Sequence, residues 1–158
     1  MDGFKIVILE DDVFISTKYS SIIDTHFYIR VNDCCFPDEL WTDFSYPVVC
    51  MWAEELLRNR RRKKAHYSLP LMDGPFRIEV TQENNKLLLE GINARGDEQT
   101  VFSFSCPVQD FLCELLRALN KIKKIVADNE DTLGADNKES ITDSVSHYIE
   151  RIEGQCGL

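Results

Sequence analysis

The chain has 158 residues, 18 Lys and Arg against 27 Asp and Glu, and a formal net charge of −9, which fits one domain, 1–158, with a core of its own. A hydrophobic share of 44% beside 28% charged residues excludes a disordered chain, and no apolar run nears the roughly 20 residues of a membrane helix. The acidic excess argues against nucleic acid, which is bound mainly through Lys and Arg on phosphates, and leaves a basic protein open as partner.

In chain order, Phe4 to Leu9 is β-prone and apolar on both faces, which predicts an interior strand. Its apolar part, Ile6 to Leu9, is too short for the core of a signal peptide, and Glu10, Asp11 and Asp12 follow at once. The expectation is a cytoplasmic protein. Residues 13–24 fit strand or helix. Phe27, Ile29 and Val31 alternate with Tyr28, Arg30 and Asn32, a half-buried strand closed by the turn residues Asn32 and Asp33. Residues 34–44 are irregular, with Pro37 as a breaker. Ser45 as cap and Pro47 in the first turn predict a helix with Val48, Val49, Trp52 and Leu56 on its buried side.

The clearest signal follows. Tyr67, Leu69 and Leu71 alternate, then Phe76, Ile78 and Val80, then Leu87 and Leu89, then Phe102, Phe104 and Cys106. The turns between them fall at Asp73-Gly74-Pro75, Asn84-Asn85 and Ala94 to Asp97. This predicts a four-strand antiparallel meander with one face toward a core. Pro107 opens a helix whose stripe is Phe111, Leu112, Leu115, Leu116, Leu119, Ile122 and Val126. Residues 128–139, with five acids and one lysine, read as a solvated acidic loop. A last helix is expected from Ser140 to Gly154, burying Ile141, Val145, Tyr148, Ile149 and Ile152. Strands and helices do not alternate, so the predicted fold is α+β: an antiparallel sheet of the N-terminal strands plus the meander, helices packed on one face.

The charge is uneven. Arg58, Arg60, Arg61, Arg62, Lys63 and Lys64 lie together, and without those six the chain holds 12 bases against 27 acids, a net −15. The run could contact nucleic acid, or an acidic face of a second copy in a homodimer, or simply end a helix where cations favour the dipole.

Six cysteines show no CxxC spacing, so neither a zinc ribbon nor a redox motif is expected. In a reducing cytosol they stay thiols, with Cys50, Cys106 and Cys113 read as buried apolar residues. The opening KIVILEDD is similar to the first strand and acidic pair of response-regulator receiver domains. The meander and the lack of a helix after that strand contradict their doubly wound sheet. Gly91 and Gly96 have P-loop separation, but Asp97 stands in place of the lysine. Arg95-Gly96-Asp97 is read as a turn. No catalytic, cofactor-binding or metal-ligating residue is assigned, and no cofactor is expected.

The segment Trp41 to Phe44 (WTDF), the helix with Trp52 and the turn Met72 to Phe76 (MDGPF) resemble small bacterial cytosolic proteins of the immunity type, partners of polymorphic or contact-dependent toxins. The resemblance spans residues 28–120 and carries over no functional residue. It implies a non-enzymatic protein that neutralises a basic toxin domain by direct binding. Complementary charge speeds such capture and a few buried anchors supply affinity. The surface acids singled out are Glu10, Asp11, Asp12, Asp38, Glu39 and Asp43, with Trp41 as anchor. The alternative is a small-molecule-binding or enzymatic domain with a cleft between sheet and helices, using His66, Asp73 or a cysteine.

Overall fold

The alternation of Phe4, Ile6 and Ile8 with Lys5 and Val7 turns every second side chain inward, and this segment is β1 (Phe4–Ile8) of a computed structural model that describes residues 2–11, 13–16 and 22–156. It pairs antiparallel with β3 (Ile22–Val31), the longest strand. Around β3 also stand β2 (Phe14–Ser16), β4 (Cys34–Phe36) and β5 (Thr42–Asp43), all antiparallel to it. So the ambiguous stretch 13–24 is strand at 14–16 and 22–24, and 17–21 lie outside the described residues. β1 is not an interior strand with two buried faces. It pairs with β3 alone, Lys5 is exposed and Val7 is half-buried.

The meander forms in the predicted strand order, as β6 (Lys64–Pro70), β7 (Phe76–Glu83), β8 (Lys86–Asn93) and β9 (Gln99–Pro107). Its inner face carries Tyr67, Leu69, Ile78, Val80, Leu87, Leu89, Phe102 and Cys106. Gly91 sits under the Phe102 ring, where a Cβ would lie 2.3 Å from the nearest ring carbon, so the close approach requires glycine. The N-terminal strands do not extend this sheet. They form a second one, and an aromatic seam joins the two: Phe4 stacks on Phe104, while Phe36 meets Phe76 and Phe102 edge-on.

Three long or medium helices cover both sheets. α1 (Ser45–Asn59) packs on β3 and β6, and α2 (Val108–Asp128) on β1 and β9. α4 (Ala135–Cys156) packs on both helices. Residues 128–139 are mainly helical and not the expected loop: α3 (Glu130–Leu133) is anchored by buried Leu133, and Gly134 at φ +83° then resets the backbone for α4. Most of the segment's side chains are still exposed. α4 therefore begins five residues before Ser140 and runs through Gly154.

Ser45 does not cap α1. The cap position is Phe44, and the Ser45 hydroxyl is buried without a partner. All six cysteines are free. Cys50 and Cys106 are buried, and burial pushes each thiol up to about 12. Cys113 is exposed, against expectation, because it lies on the outer side of α2 while Phe111, Leu112 and Leu115 face in.

α2 also closes the open edge of β1. Glu114, 3% exposed at its side chain, accepts the Ile6 N–H at 2.9 Å, and Arg117 both pairs with Glu114 and donates to the Ile6 carbonyl. The charge pair thus takes the place of a further strand and leaves these edge groups satisfied. No helix among the described residues is long and apolar enough to cross a membrane.

Candidate functional site

The irregular segment before α1 is organised by Asp43. Its side chain is 1% exposed, in β5, opposite Thr25 of β3. One oxygen accepts the Phe44 N–H at 2.8 Å. The other accepts the Trp41 indole N–H at 3.3 Å and the Asp73 N–H at 3.2 Å. Burial pushes its carboxyl up, against the pull of those donors. Asp43 is therefore a structural link and not the surface acid that the sequence suggested. It ties the 37–43 segment to the β6–β7 turn and stands at the positive end of the α1 dipole.

Three exposed apolar side chains belong to the segments that this link joins and to the neighbouring β2. Phe14 is 70% exposed, Leu40 52% and Met72 54%. Phe14 lies opposite Asp24 on β3, and cross-strand partners share a face. Leu40 accepts at its carbonyl from His26 Nδ1 at 2.8 Å, two residues along β3. Met72 immediately precedes Asp73. Leu40 also holds a left-handed backbone at φ +60°, a conformation costly for a branched side chain. The turn that imposes it is closed by Trp41 N–H on the Asp38 carbonyl at 3.2 Å, with the Asp38 carboxylate accepting the Glu39 N–H at 2.9 Å.

The acids of this end are Asp24, Asp38, Glu39 and Asp73, with Asp38, Glu39 and Asp73 exposed. Burial first, then repulsion from Asp43 and Asp73, push the Asp24 carboxyl up, with His26 opposing. One Asp24 oxygen is buried without a partner among the described residues. Trp41 is half-buried: its ring meets Phe76 edge-on with centroids 5.1 Å apart, and the Arg95 guanidinium lies over Phe76 at 5.7 Å. Trp52, by contrast, is wholly in the core and donates to the Pro70 carbonyl at 2.8 Å.

The structure brings together Asp38, Glu39, Trp41 and Asp43 from the sequence-based set. Glu10 is held elsewhere. Lys124 at 3.2 Å and Lys121 at 3.7 Å, both on α2, keep its carboxyl below the usual carboxylate range, so its charge is already balanced. Asp11 is exposed, and Asp12 lies outside the described residues. Phe14, Leu40, Met72 and Asp24 were missed. A signal existed for Leu40 and Met72, each an apolar residue embedded in turn chemistry.

Of the alternative site residues, Asp73 belongs to the link with Asp43, whereas His66 lines a separate open hollow with Arg62, Lys64, Thr81 and Glu83. His66 points outward from β6 and pairs with Glu79 at 3.0 Å. Burial pushes the Glu79 carboxyl up, but Ser68 at 2.7 Å and Arg77 outweigh it and hold it low overall. That is a solvent-facing ladder on the meander. Among the described residues no group of three or more His, Cys, Asp or Glu is placed to hold a metal ion. Comparison with protein-family models, with curated proteins and with solved structures finds no match.

Proposed function

We propose that this is a non-enzymatic binding protein, an immunity protein that neutralises a basic toxin domain by direct contact through the end built on Asp43. The observation that carries this reading is Leu40, exposed and held in a strained backbone directly after the exposed acids Asp38 and Glu39. Strain at an exposed apolar residue costs stability and suits an anchor. Phe14 and Met72 supply further apolar area, and the acids steer a cationic partner and fix its orientation. The raised Asp24 carboxyl fits the same role, because a partner's Lys or Arg would relieve its repulsion.

The test is co-expression with the toxin encoded beside the gene. The parent protein is expected to protect cells and to co-purify with the toxin. Leu40→Ser with Met72→Ser is expected to abolish both while melting as the parent does. The reading fails if the parent neither protects nor co-purifies, or if the double variant protects fully.

A further inference from the structure

The basic run lies at the other end of α1 from Asp43, about 22 Å away by the helix rise. Arg60, Arg61, Arg62 and Lys63 line a hollow of about 420 Å³ with Asn84 and Asn85 of the β7–β8 turn and Gln155 of α4. Among the described residues no carboxylate lines it, in a chain with 27 acids. Arg58, just before it, is already paired with Glu55 at 3.0 Å. Among the described residues, none of the four lining bases forms an ion pair.

The hollow is built on a fixed backbone. Gln82, 2% exposed, donates from its amide to the Asn59 carbonyl at 2.8 Å and the Arg62 carbonyl at 2.9 Å. Asn84 N–H donates to the Lys63 carbonyl at 2.6 Å. The two segments therefore hold the four bases in one register. Arg60 Nε is buried and has no acceptor among the described residues, a costly state for a charged donor that a bound anion nearby would offset.

We propose that this hollow binds a compact phosphate-bearing anion of the di- or triphosphate kind. Guanidinium forks match phosphate oxygens two at a time, and the side-chain amides add neutral donors. The volume falls in the range of small-ligand sites. Among the described residues no aromatic ring lines it, so these residues offer no platform for stacking a base and recognition rests on phosphate. An extended nucleic acid would leave the hollow and run along a body that carries the remaining −15, which repels it.

The test is calorimetric titration of the full chain with tripolyphosphate at low and moderate salt. One saturable site, weakened by salt, is expected. Arg61→Gln with Lys63→Gln is expected to weaken it about tenfold or more. Both side chains are exposed, so the melting temperature of that variant should match the parent. Arg58→Gln, outside the hollow, should bind as the parent does. Absence of saturable binding overturns the proposal, as does equal binding by the double variant. Tighter binding of a single-stranded oligonucleotide than of tripolyphosphate also overturns it, in favour of a nucleic-acid groove.

Discussion

Asp43 and Asp73 are 30 residues apart in the chain, and the carboxylate of the first accepts the backbone N–H of the second at 3.2 Å. Two acids are thus joined through one carboxylate and one amide, and the joint sets the geometry of the whole acidic end. Replacing Asp43 with Ala strands the Trp41, Phe44 and Asp73 donors, at a cost of about 1–3 kcal/mol for each one left buried without a partner. Since those donors are only partly buried and water reaches some of them, the expected loss is about 2–3 kcal/mol in urea denaturation. Asp43→Asn keeps one acceptor oxygen and should lose less.

Leu40 offers a prediction of the opposite sign. Glycine adopts φ +60° without the clash that a side chain brings. Leu40→Gly should therefore stabilise the fold by up to about 1 kcal/mol, visible as a higher melting temperature. Its partner affinity should fall in the same variant. That combination, a more stable and less active protein, is the mark of a residue kept for binding.

Asp24 gives a pH dependence. Its carboxyl is raised in the fold by burial and by Asp43 and Asp73. Between the unfolded value of 3.8 and its folded value, the folded chain holds more protons than the unfolded chain. Its contribution to stability is therefore fully present below 3.8 and is lost as pH rises through the folded value. Asp24→Asn does not ionise and keeps that contribution. The variant should melt above the parent at pH ~7, with the gap closing as pH falls to about 4. A gap that widens toward acid would contradict the assignment.

Glu114 tests the edge of β1. Without its carboxylate the Ile6 N–H loses its acceptor and the Arg117 guanidinium its partner. Removing one member of a buried pair costs about 3–5 kcal/mol, and Arg117, 42% exposed at its side chain, lowers that toward about 2–3 kcal/mol. Hydrogen exchange should then show Ile6 losing protection ahead of the meander amides.

Periodicity made the meander and α2 legible because each strand or helix of that kind buries one face along its own length. Tyr67 to Leu71 and Phe76 to Val80 declare their inner sides without reference to any distant residue. The same reasoning failed where a short segment's fate depends on a remote neighbour. β4 and β5 are strands of three and two residues, and only pairing with β3 makes them so. Residues 128–139 looked like loop by composition, but buried Leu133 and the turn at Gly134 keep the chain helical on either side. Of the candidate site, the residues near Trp41 could be named from sequence, but their roles could not.

The sequence by itself determined the α+β class, the strand order of the meander and the split of charge into an acidic body and one basic run. Those properties are local, since they follow from neighbours within a few positions. Only the tertiary structure decided which charges are available. Glu10 is balanced by lysines more than a hundred positions away, with Lys124 Nζ 114 residues along the chain, and Asp43 is buried and occupied. Arg60 to Lys63, by contrast, form no ion pair among the described residues. Whether a charge is spent or free depends on what folding brings within about 4 Å of it, and Coulomb attraction at that range takes no account of separation along the chain.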